Sequence, residues 1–151
     1  MPGVSADTIR QALRDTAAGL SAGGLTLLSQ NALIGYNVQA PSQNFFRDLQ
    51  DDHPFLIVMP SPAQRFTPTT WHPDCEIKVF VWFGFERDNA NDFIAIEQFL
   101  LALVEKWTNF TDLKATDTGT PLQIDIDKEL TNPDIKPAVA LYTMKLQFGG
   151  A

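Results

Sequence analysis

The chain has 151 residues, 44% of them hydrophobic and 19% charged, with a formal net charge of −7. That length and apolar content suit one folded domain, residues 1–151, able to bury roughly 70% of the surface its unfolded form exposes, and they exclude wholesale disorder. The acidic balance, with no run of Lys or Arg, opposes a surface that grips phosphates, because that attraction needs clustered cations.

The opening stretch, MPGVSADTIRQALRD, has early charges and no uninterrupted apolar core, so no secretory signal is expected. Ser5, Asp7 and Thr8 are N-cap candidates for a first helix, in which Ile9, Leu13, Ala17 and Leu20 make one narrow apolar stripe. The pair Gly23-Gly24 is expected to stop it. Weak strand signals follow at Leu25–Leu28 and Ile34–Tyr36. PSQNFFRDLQDD, from Pro41, predicts a turn and a short helical piece presenting Phe45, Phe46 and Leu49. FLIVM, residues 55–59, predicts a buried strand ended by Pro60.

PSPAQRFTPTTWHPDC then forms a proline-rich loop of about residues 60–74, or a hairpin with partly β arms. Long loops in compact domains tend to be functional or ordered by a partner, and Arg65, Phe66, Trp71 and His72 make this one adhesive. From Cys75 to Phe85 the chain alternates. Cys75, Ile77, Val79, Val81, Phe83 and Phe85 share one face; Glu76, Lys78, Phe80, Trp82 and Glu86 share the other, aromatic in its middle. Such a strand is central in its sheet, or meets a neighbouring subunit. RDNAND offers Asn89, Asn91 or Asp92 as the cap of a long helix. Its stripe of Ile96, Leu100, Leu103 and Trp107 is widened by Phe93, Leu101 and Val104, with Phe99 off to the side.

After TNFTDLKATDTGTP, LQIDIDKEL and AVALYTMKLQF predict two strands joined by TNPDIKP. Runs of strands with few helices give an α+β fold, a mostly antiparallel sheet packed on one face by two main helices. No apolar run is long enough to span a bilayer.

Chemistry is sparse. WHPDC places His72, Asp74 and Cys75 together, residue types that ligate zinc or pair a nucleophile with its base. Four ligands at recognisable spacing are missing and the other histidine, His53, is far upstream. A wet histidine and a thiol buried as a small hydrophobe are therefore expected, with a small metal- or thiol-dependent enzyme on these three residues as the alternative. Cys75 is the single cysteine, which excludes an internal disulfide and suits a reducing compartment. Asp125, Asp127 and Glu129 fall on one strand face at two-residue steps: a wet sheet face, a cation site without a calcium-loop geometry, or a negative wall along a channel. Phe80, Trp82 and Trp71 have the types of a base-stacking platform but lack its basic groove, which favours core or subunit contact. There is no glycine-rich phosphate loop, GxSxG elbow or HExxH, and no cofactor is expected. A binding module that takes a peptide or protein through the proline-rich loop is a further reading.

The order of elements carries a resemblance. An N-terminal amphipathic helix (TIRQALRDTAAGL) leads to a strand. A long loop precedes EIKVFVWF, NDFIAIEQFLLALVEKW forms a helix, and AVALYTMKLQF closes the sheet. At this length the pattern resembles the tail terminator and tail-completion (head–tail joining) proteins of long-tailed bacteriophages and tail-like particles. The resemblance implies a non-enzymatic virion protein, assembled in the host cytoplasm as a homo-oligomeric ring, usually a hexamer. It would sit on the head-proximal end of the tail tube, touching the tail-tube protein and a neck or head-completion protein, with DNA passing through unbound. A head-closure or neck connector and a tail-tube subunit are the alternatives in the same class. Phe80, Trp82, Phe99, Trp71 and Phe66 are then candidate contacts between copies, and Asp125, Asp127 and Glu129 candidate channel-lining acids.

Overall fold

The structure, a computed structural model, describes residues 6–35, 44–60, 64–65, 74–85, 90–108, 121, 123–131 and 138–148; at 6, 64, 65, 74, 75 and 129–131 it describes the backbone alone. Helix α1, Ala6–Ala17, buries Ile9, Leu13 and Ala17 as the stripe requires, together with Ala12. It ends before Gly19, whose φ of +83° no longer fits a helix. The expected stop at Gly23-Gly24 is thus corrected. Those glycines, at φ +62° and +82°, are the two-residue turn between strands β1 (Ser21–Ala22) and β2 (Leu25–Thr26). Positive φ at both central positions matches the right-handed twist of a tight hairpin, and glycine takes it at least cost.

A single 3-10 turn, Ser29–Asn31, leads into β3 (Ala32–Ile34). Helix α2 spans Phe45–Gln50, then β4 Phe55–Val58, β5 Gln64–Arg65, β6 Asp74–Phe85, helix α3 Ala90–Thr108, β7 Gln123–Thr131 and β8 Ala138–Phe148. Asn91 and Asp92 lie inside the first turn of α3; Ser5, Asn89 and Glu86 fall outside the described residues.

Six strands form one sheet in the order β3-β4-β6-β8-β7, with β5 on the early end of β6. β3 and β4 are parallel; the other pairings are antiparallel, the longest running from Cys75↔Phe148 to Phe85↔Ala138. The fold is therefore α+β, with β6 central as its two-sided apolar pattern requires.

Helices α1 and α3 cover one face. Under them lie Leu56 and Val58 of β4, Ile77 to Phe85 of β6 at alternate positions, and Tyr142, Met144, Leu146 and Phe148 of β8. Phe83 sits at the centre, its ring 5.5 Å from both Phe99 and Tyr142 and edge-on to each. Trp107 of α3 donates its indole N–H to the Leu13 carbonyl at 3.1 Å and locks the two helices together.

The two main helices thus share one face, as expected, while the short helix α2 lies on the opposite one. α2 lies across one end of it, packing Phe45 and Leu49 on Phe55, Ile57, Trp82, Val139 and Leu141. Gly84 permits this approach, because a Cβ there would stand 2.7 Å from the Leu49 carbonyl oxygen. Asp52, at φ +64°, turns the chain from α2 into β4 and accepts the Thr26 N–H, holding the β1–β2 hairpin against it.

Candidate functional site

The cluster of His72, Asp74 and Cys75 lies largely outside the described residues. His72 lies outside the described residues, and Asp74 and Cys75 are seen only as backbone, opposite Arg65 and Gln64 of β5. His53 is elsewhere, its Nδ1 hydrogen-bonded to the Thr26 carbonyl at 3.1 Å. Among the described residues, no three His, Cys, Asp or Glu side chains are placed to hold a metal ion. A recess of about 230 Å³ lies between Gly23, Gly24, Asp52, Gly84, Asn91 and Asp92; among the described residues its only ionisable side chains are the two carboxylates, with no histidine, thiol or cation beside them.

Two outward surfaces remain. The first is the far side of α3. The core-facing arc of this helix contains Ile96, Phe99, Leu100, Leu103 and Trp107. At 100° per residue, Ile94, Glu97, Leu101 and Glu105 form a stripe on the opposite, outer side. Leu101 is 59% exposed and Ile94 50%, and both glutamates are exposed. The stripe leans toward the β7 edge. There, Phe93 of α3 lies under the Lys128 ammonium, 5.3 Å from the ring centroid, and Ile126 is 40% exposed. Glu97 also reaches over the sheet: burial first, and this carboxylate second, raise the Tyr142 phenol above its ordinary pKa.

The second surface is the part of the opposite sheet face that α2 leaves open. Leu33, Met59 and Phe80 are half-buried there. Beside them Lys78 and Lys145 stand directly opposite each other on β6 and β8. Like charges at such a position repel. Among the described residues no carboxylate comes within ion-pairing range of either ammonium. Asp125, in register with Lys145, instead accepts the Gln123 side-chain amide at 2.9 and 3.2 Å. Asp125 and Asp127 are exposed, and the backbone position of Glu129 continues their row along β7.

The expected contact residues divide. Phe80 is half-buried on this face, with its ring 6.2 Å from Trp82. Trp82 is only 5% exposed, closed under Phe45 of the same chain, and Phe99 is 0% exposed against Phe83. Both are thereby corrected: they belong to the chain's own core. Trp71 and Phe66 lie outside the described residues. Ile94 and Lys145 do not stand out in the sequence, whereas Leu101 is among the residues that widen the α3 stripe beyond what packing on the sheet needs. Their signal was present in the helical phase of Ile94 and Leu101, whereas the Lys78–Lys145 neighbourhood depends on strand register.

Among the described residues no helix is long and apolar enough to cross a membrane. No known family model matches the chain, and no curated protein matches it.

Proposed function

We propose that the protein is a structural assembly protein whose copies form a ring, acting as the tail terminator of a phage tail or tail-like particle. In that role the ring closes the head-proximal end of the tail tube, joins it to the neck and resides in the virion. The observation that carries this reading is the apolar area turned outward on α3 and the adjoining edge strand, at Ile94, Leu101 and Ile126. α3 already buries a full stripe against the sheet, and these side chains keep much of their surface outside that core. Exposed apolar side chains grouped along one helix and its neighbouring strand suit a protein contact.

The acidic row on β7 suits a lumen through which DNA slides, since clustered carboxylates repel phosphates. The order of elements, an amphipathic helix, a central strand, a long helix and two closing strands, supports the same reading.

Native mass spectrometry and negative-stain imaging of the purified protein test it. Closed rings, six copies in each, are expected; a strict monomer at high concentration overturns the proposal. Binding of the rings to purified tail tubes, and not to neck complexes alone, separates a terminator from a neck connector.

A further inference from the structure

We infer that the acidic row of β7 guards an open edge of the sheet and keeps two copies from joining β7 to β7. The sheet ends at β3 on one side and at β7 on the other. β3 is three residues long, and Arg14 donates from Nε to its Ala32 carbonyl at 2.8 Å. A short strand with a carbonyl already taken offers little to a newcomer. β7 runs nine residues, Gln123–Thr131, and among the described residues only β8 pairs with it. A strand edge of that length presents a row of backbone donors and acceptors, which is a template for a further strand.

The side chains of β7 act in opposite senses on its two faces. On the helix-covered face Ile124 is half-buried, Ile126 is 40% exposed, and the Lys128 ammonium sits over the Phe93 ring. That face favours pairing, because a second strand would cover Ile126. On the other face Asp125 and Asp127 are exposed, and the backbone position of Glu129 continues their row. Lys145 stands across from Asp125, one strand inward on β8, yet among the described residues neither aspartate forms an ion pair. Asp125 accepts the neutral Gln123 amide instead. No described cation closes on the row.

Two identical edges meet antiparallel about a two-fold axis normal to the sheet, and that axis keeps each face on its own side. Residues that come opposite each other then belong to the same face. Centred on Asp127, the pairing sets Asp127 against its own copy and Asp125 against Glu129 of the second chain. Centred on Ile126 it sets Asp125 against Asp127, and centred on Lys128 it sets Asp127 against Glu129. Opposite positions lie about 5 Å apart at Cβ, where like charges destabilise the pair. Every well-overlapped register meets this repulsion, although the apolar face draws the strands together. A two-fold dimer through this edge is thereby closed to the chain, and Ile126 is left for contacts of other geometry. The guard acts on a single copy and does not depend on ring formation.

Neutralising the row tests the guard. Asp125→Asn, Asp127→Asn and Glu129→Gln together make one variant; Asp125→Lys, Asp127→Lys and Glu129→Lys make another. Each is compared with the wild type at low ionic strength, at dilutions where the wild type is monomeric. Sedimentation reads association, and hydrogen exchange reads the amides of residues 123–131. The neutral variant is expected to self-associate at least about tenfold more tightly than the wild type. The β7 amides that point away from β8 should become protected as it does so. The lysine variant alone should stay monomeric, since its row repels itself as the acids do. Its equimolar mixture with the wild type should give one-to-one dimers, because lysines then oppose carboxylates.

Unchanged association of the neutral variant, or association without protection of β7, overturns the guard. So does a wild type whose outward β7 amides are already protected, because the edge is then covered. The mixture covers the case of a neutral variant that does not fold, and a mixture without dimers overturns the guard by itself. A wild type that is monomeric at every concentration ends the ring reading and leaves the guard standing.

Discussion

Trp82 shows how a single residue can change from an interface candidate to a core residue. Period-two alternation places it beside Phe80 on the outer face of β6, and on a bare sheet both rings would be open. α2 covers Trp82 and stops short of Phe80, because Phe45 stands edge-on to the indole at 6.2 Å while Gly84 lets the Leu49 backbone descend onto the strand. Trp82→Ala therefore opens a cavity inside the chain and removes nothing from a contact between copies. Urea unfolding should show a loss of about 3–5 kcal/mol, the range for truncating a buried large aromatic. Association measured well below the unfolding transition should stay at the wild-type level. A folded but dissociated Trp82→Ala protein would place this indole at an interface after all.

At the scale of elements, the strands were readable from the residues because alternation is local. Ile77, Val79, Val81 and Phe83 share a face wherever the strand lies. The elements that differed are those settled by distant parts of the chain. Gly23-Gly24 stops a helix or turns a hairpin with equal ease, and pairing of Ser21 with Thr26 selects the hairpin. α3 carries apolar residues around more than half its circumference. Which of them point inward depends on where the sheet and the β1–β2 hairpin hold the helix. A close fit at Gly23, where a Cβ would stand 2.6 Å from the Ala95 carbonyl oxygen, fixes that phase and sends Phe99 in and Leu101 out. The lysine pair was hidden for a similar reason, since Lys78 and Lys145 become neighbours only through the β6–β8 register. The acids of β7 are the simpler case. Asp125 and Asp127 are exposed on β7, and among the described residues Asp125 accepts only an exposed bond from the Gln123 side chain. Asp125→Asn with Asp127→Asn should leave thermal stability within about 0.5 kcal/mol of the wild type, as for surface changes generally. A larger loss, measured calorimetrically, would mean that the carboxylates are bound structurally.

For the molecule as a whole, one contribution to alkaline stability comes from a phenol at the junction of three elements. Tyr142 of β8 lies under α3, edge-on to Phe83 of β6, and is nearly closed to solvent. Burial, and then the negative charge of Glu97, disfavour its ionised form, so the folded chain holds the proton above the ordinary value of about 10. The unfolded chain releases it near that ordinary value. Below about pH 10 the phenol is neutral in both states and adds no slope; above it the unfolded state gains from an ionisation that the folded state resists. Stability attached to the neutral phenol is thus complete below the unfolded pKa and is lost as pH rises through the folded one. Other groups titrate in the same range, so the informative quantity is a difference. The wild-type Tm should fall more steeply than that of Tyr142→Phe as pH rises past about 10, and their curves should run parallel at neutral pH. Parallel curves throughout would show that the folded phenol ionises as freely as the unfolded one, contrary to its place beneath α3.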